Sequence, residues 1–90
     1  SYSSNIQKAR EVVLELCVND SRIIKEEEKM PAVLVNELAE SSVDLAIRYW
    51  TNTEEFWPTR FEMVENIKRR FDEEGIEIPF PHRVLVNAAD

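Results

Sequence analysis

Between residues 4 and 18, Ile6, Ala9, Val13 and Leu16 recur at spacings of three and four. That period gathers them on one helical face, so the spacing predicts a first helix there. Ser4 or Asn5 can cap its start, with Gln7 three residues after Ser4 as in a capping box. The run Asn19-Asp20-Ser21 ends it, and KEEEK, residues 25–29, reads as a solvated connector. The period then shortens. AVLVNELA, residues 32–39, and SVDLAIRYW, residues 42–50, read as strands. In the second, Val43, Leu45, Ile47 and Tyr49 alternate with Asp44, Ala46, Arg48 and Trp50, as in a half-buried strand. Glu40, Ser41 and Ser42 make a short polar connection, which predicts an antiparallel hairpin.

After the loop TNTEEF, with Asn52 or Thr53 as a cap, the helical period returns. Trp57, Phe61, Val64, Ile67 and Phe71 follow at spacings of four, three, three and four, and are expected to form the buried face. Pro58 fits the first turn, where its missing N–H costs nothing. Lys68–Asp72, Arg69–Glu73 and Arg70–Glu74 are possible i,i+4 pairs that offset acids at the helix end. Gly75 reads as a left-handed helix stop, followed by Ile76-Glu77-Ile78 as a strand. Pro79-Phe80-Pro81 then breaks the chain, and a second apolar run, Arg83-Val84-Leu85-Val86, follows.

The order is helix, strand, strand, helix, strand. One strand in front would complete βαββαβ, the ferredoxin-like split unit. We therefore expect an α+β fold, a ferredoxin-like sandwich with two helices on one face of a small, mainly antiparallel sheet. Its first strand would lie before Ser1. The place of that strand would be taken by another copy, by the segment 83–86, or by direct pairing of the remaining strands.

Composition narrows the function. Ninety residues, 43% hydrophobic and 32% charged, describe one globular domain. A single glycine excludes phosphate-cradling loops such as GxGxxG. One cysteine, Cys17, suits a reducing compartment, and no apolar run approaches 18 residues. A net charge of −7 argues against nucleic acid as a partner and against an anionic membrane surface.

Little in the chain points to chemistry. Cys17 and His82 stand on different elements with no ligand spacing, so no metal, cofactor or catalytic residue is expected. Cys17 reads as a small buried hydrophobe. Glu37 and Glu62 are flanked by apolar residues but turn outward on this assignment, so neither reads as a desolvated acid. Arg48, Trp50 and Trp57 read as a structural cluster, the indoles closing the core edge and the guanidinium stacking on one of them or pairing with an acid.

SSVDLAIRYW, TNTEEFW and FEMVENIKRRFDEEGIEIPFP, taken together, resemble the C-terminal cytoplasmic region of the MscS-type small-conductance mechanosensitive channels. A strand ending in Arg-x-Trp, a long helix, a Phe-Asp-x-x-Gly-Ile stop and a Pro-Phe-Pro break carry the likeness. SYSSNIQKAREVV is similar to that family's first helix, and the likeness spans nearly the whole chain. The resemblance implies a non-enzymatic domain on the cytoplasmic face of the bacterial inner membrane, attached to it only through upstream segments. Seven copies would build a hollow cage below the pore, through which ions and small solutes pass on hypo-osmotic shock. Residues 1–81 would be the vestibule domain, and 82–90 a strand and tail contributed to a parallel barrel around the symmetry axis. Pro79, Phe80, Pro81, Arg83, Val84, Leu85 and Val86 would then be assembly residues, with the strand unpartnered inside a single subunit. Seven acidic subunits would also concentrate cations in the cage. Two other readings fit the same pattern. One is a free-standing ferredoxin-like module that binds a metabolite or protein; the other is a small acylphosphatase-like hydrolase, which the missing strand and scarce glycine disfavour.

Overall fold

The computed structural model describes residues 2–38, 43–76 and 83–87, with side chains described over 5–35 and 45–76. Helix α1 (Tyr2–Val18) leads through a 3-10 turn (Glu27–Lys29) to strands β1 (Ala32–Leu38) and β2 (Val43–Arg48). A second 3-10 turn (Thr53–Glu55) opens helix α2 (Phe56–Glu74), and strand β3 (Arg83–Asn87) follows. The fold is α+β, in the expected order. Because α1 already begins at Tyr2, Ser4 and Asn5 fall inside its first turn rather than before it. Asn52 makes no side-chain cap. The polar connection 39–42 and residues Glu77 and Ile78 lie outside the described residues.

β1 and β2 pair antiparallel from Ala32↔Arg48 to Leu38↔Val43, with the register shifted between Val35 and Glu37. Alternation decides which side chains enter the core. Val33, Leu45, Ile47 and Tyr49 are buried in the cluster shared with both helices, so α1 and α2 cover the same face. Arg48 is exposed on the other face, and Ala46, though buried, stands outside that cluster. Burying side chains such as Leu45 and Ile47 contributes about 1.5–3 kcal/mol each, which makes β2 the spine of the domain.

From α1 the core takes Ala9, Val12, Val13 and Cys17, with Ile6 and Leu16 partly buried against it. The expected stripe is thus right in its centre. α2 differs more. It buries Thr59, Met63, Ile67 and Phe71, while Trp57, Phe61 and Val64 are exposed. Both stripes share Ile67 and Phe71, so spacing alone could not separate them. Ion pairs to the α1 side mark the rotation adopted. Arg70 reaches Glu15 at 2.6 Å, and Glu62 takes Arg22 at 3.1 Å. Lys68–Asp72 (2.8 Å) and Arg70–Glu74 (3.4 Å) form as expected, whereas Arg69 bonds Asn66 rather than Glu73.

The end of α2 is built around Gly75 at φ 68°, ψ 29°, the left-handed conformation that an L side chain adopts only at a cost. The Gly75 N–H donates to the Asp72 carbonyl at 3.3 Å and the Ile76 N–H to that of Phe71 at 2.9 Å. Those two bonds are the Schellman pattern, completed by burial of both Phe71 and Ile76. Lys8 Nζ donates to the Glu74 carbonyl at 2.9 Å, so α1 helps to close the end of α2.

β3 pairs in parallel with β2, from Asp44↔Arg83 to Arg48↔Asn87, giving the order β1-β2-β3. In a split βαββαβ unit another strand would separate these two parallel neighbours. Here they are hydrogen-bonded directly, so the second of the three expected arrangements is the one observed: the segment 83–86 lies against β2. The mainly antiparallel sheet becomes one antiparallel and one parallel pair.

Candidate assembly surface and aromatic cluster

Of the residues read as an assembly segment, Arg83, Val84, Leu85 and Val86 form β3, while Pro79, Phe80 and Pro81 lie outside the described residues, as does His82. The expectation that this strand has no partner in its own chain is corrected by its ladder with β2. The reason is the backbone of β2. Its N–H and C=O groups on the side away from β1 need partners, and the nearest chain able to supply them is β3. The strand order still leaves β3 at one margin of the sheet and β1 at the other, each with a ladder edge that faces no described strand.

The aromatic cluster is arranged differently from the expectation. The cation over the Trp57 ring is Arg60, 5.9 Å from its centroid, and not Arg48, which is exposed at the end of β2. Trp57 meets Phe56 edge-on at 4.8 Å and Phe61 at 5.9 Å. Trp50 is half-buried, and its carbonyl accepts the Ile24 N–H at 2.8 Å, tying the loop after α1 to the end of β2. Arg48, Trp50 and Trp57 therefore do not act as one group. Trp50 stands half-buried just past the end of β2, and Trp57 on an outer flank of α2.

The loop after α1 is held by charge. Arg22 donates to Asp20 through Nε at 3.0 Å and Nη2 at 2.8 Å, and its Nη2 also reaches Glu62. The Asp20 carboxyl also accepts the Arg22 backbone N–H at 3.0 Å. These bonds hold that carboxyl below its ordinary range, against the opposing effect of its partial burial. Cys17 is buried, and the loss of solvent around the thiol pushes it up to about 11, so it stays protonated and inert. Burial likewise pushes the Tyr49 phenol up to about 12. Periodicity finds none of this loop chemistry. The one sequence signal for it is an arginine two residues after an aspartate in a non-helical stretch.

The sequence comparisons place these features. The family model for the C-terminal region of the mechanosensitive ion channel MscS matches residues 1–78. The chain belongs to the MscS family. An MscS family protein of Archaeoglobus fulgidus is 34% identical over 93% of the chain, which covers 29% of that relative. The small-conductance mechanosensitive channel of Edwardsiella ictaluri is 32% identical over 90% of the chain, covering 28% of its length. A Synechocystis MscS family protein is 33% identical over 91%, covering 27%. The chain thus spans under a third of the relatives it matches. No solved structure matches it. The family is one of channels rather than enzymes, and the matched region is its C-terminal domain. Among the described residues, no helix is long and apolar enough to cross a membrane.

Proposed function

We propose that this MscS domain forms part of a cytoplasmic vestibule below a tension-gated pore, in a homo-oligomer through which ions and small solutes leave the cell on hypo-osmotic shock. The match of residues 1–78 to the family's C-terminal region carries this reading. Copies of the domain surround the pore axis as a ring of seven, and the segment that includes Pro79, Phe80 and Pro81 delivers β3 to the axis. There the one margin of β3 that β2 leaves free offers a ladder edge to a neighbouring copy. A net charge of −7 on each chain gives the vestibule a negative potential that concentrates cations.

The test uses the full-length parent protein in cells stripped of their own mechanosensitive channels. Pressure ramps on membrane patches are expected to open a conductance, and cells are expected to survive osmotic downshock. Deleting residues 83–87 should reduce the amount of assembled channel. Absence of both current and protection in the intact protein would overturn the channel reading.

A further inference from the structure

Negative charge collects at the last turn of α2. The final helix carbonyls lack helical partners there, and Asp72, Glu73 and Glu74 add three carboxylates, while the turn has no base of its own. Cations reach it from outside the turn. Lys8 Nζ, on α1, donates to the Glu74 carbonyl at 2.9 Å. Arg70 Nη2 reaches the Glu74 carboxylate at 3.4 Å, while its Nη1 donates to Glu15 of α1 at 2.6 Å. Residues 8 and 15 lie about two turns apart on α1, so one face of that helix grips the end of α2 at two points.

That end also decides where the chain goes next. Gly75 turns with its positive φ, and Ile76 joins Phe71 in the core. By residue 83 the chain is on β2, with Arg83 opposite Asp44. β3 is short, five residues, and it pairs in parallel and with β2 alone among the described strands. An element held in this way opens before the core does. Its hold depends on Ile76. While Ile76 is anchored, only residues 77–82 lie between the core and β3; once it is loose, a longer loop must be closed to pair the strand.

We propose that Lys8, Glu15 and Arg70 form a latch, by which the seating of α1 on α2 holds the Gly75 turn and so keeps β3 on β2. Latched, the turn is closed and the β2 margin is filled. Unlatched, Gly75 and Ile76 loosen and β3 leaves, while the hairpin of β1 and β2 and the core around Leu45 and Ile47 stay folded. The latch is open to solvent: Lys8 is exposed, and the side chains of Arg70 and Glu15 are 24% and 54% exposed. Dissolved salt therefore weakens it. The sign is distinctive. In a chain of −7, screening relieves general repulsion and tightens the fold as a whole, but it loosens these ties. Ionic strength thus governs how firmly β3 is held. The latch belongs to the single chain, and the channel reading is decided separately by currents.

The experiment is native-state hydrogen exchange of the 90-residue chain, followed amide by amide by NMR. Ile76 and residues 83–87 are expected to open together, with less protection than the hairpin of β1 and β2. Lys8→Met should lower their protection about two- to fivefold, the scale of a cation at a helix C-terminus, and leave the hairpin unchanged. Lys8→Arg should restore it. Raising salt from about 20 mM to about 0.5 M should lower the protection of the same amides in the unaltered chain, and lower it less in Lys8→Met. An equal loss at every amide in Lys8→Met overturns the latch, since that is the mark of net charge alone. So does a loss at Ile76 that residues 83–87 do not share, or no protection at 83–87 in the unaltered chain. Salt that protects Ile76 and 83–87 along with the hairpin overturns it as well, and that arm needs no variant.

Discussion

Removing one oxygen from the centre of the core should make the domain more stable. The Tyr49 side chain is fully buried, and its hydroxyl has no hydrogen-bond partner among the described residues. Taking such a group out of water without replacing its bonds costs about 1–3 kcal/mol. Tyr49→Phe keeps the ring and its packing against the cluster of Leu45, Ile47 and Met63, so no cavity offsets the gain. We expect the variant to be more stable by about 1 kcal/mol, the low end of that cost. In urea, where a small domain has a slope of about 1–2 kcal/mol/M, the midpoint should rise by about 0.5–1 M. The melting temperature should rise by about 4–8 °C, as 1 kcal/mol does for a chain of this size. Thr59→Val is a second trial of the same reasoning, because the Thr59 hydroxyl is also buried without a partner. Loss of 1 kcal/mol or more in Tyr49→Phe, about the worth of a satisfied hydrogen bond, would refute the argument by showing that the hydroxyl is well bonded.

Gly75→Ala should destabilise the chain by about 1 kcal/mol in the same urea assay, with Gly75→Asn costing less, as left-handed backbone requires. An added Cβ meets nothing within 4 Å, so the cost is conformational, and a neutral result would contradict the positive φ. Asp20 sets an acid limit. Its folded carboxyl titrates below the ordinary value of 3.8, so its contribution is complete above that value. It is lost as pH falls through the lower folded value. Asp20→Asn should therefore flatten the fall of stability below about pH 4, the unfolded carboxylate range, with urea midpoints from pH 2 to 6 as the check.

The element order could be read from the sequence because each segment shows its own period. Leu45, Ile47 and Tyr49 alternate without ambiguity, and Gly75 has no competing use in a chain with a single glycine. α2 was harder. Its apolar arc is wider than the surface it covers, so Trp57, Phe61 and Val64 satisfied the helical period as well as Thr59 and Met63 did. Which part faces inward depends on where α1 sits, and Glu15 and Arg22, distant in the chain, settle that. The partner of β3 was illegible for a related reason. Side-chain pattern says that residues 83–86 form a strand, but hydrogen-bonding need on the β2 edge decides where it lies. Likewise Arg60 rather than Arg48 covers Trp57, a neighbour three residues along one helix winning over one from another element.

The parallel pairing of β2 with β3 joins residues 39 positions apart, Asp44 to Arg83, with the whole of α2 between them. Contacts of such separation are slow to form, because the intervening loop must be closed before any bond rewards it. The hairpin of β1 and β2 is therefore expected to form first, which leaves the flank of β2 open for an interval. During that interval a β3 from a sister chain meets the same acceptor groups as the chain's own. Were the chain to assemble with copies of itself, the speed with which each finishes would decide between pairing at home and exchange.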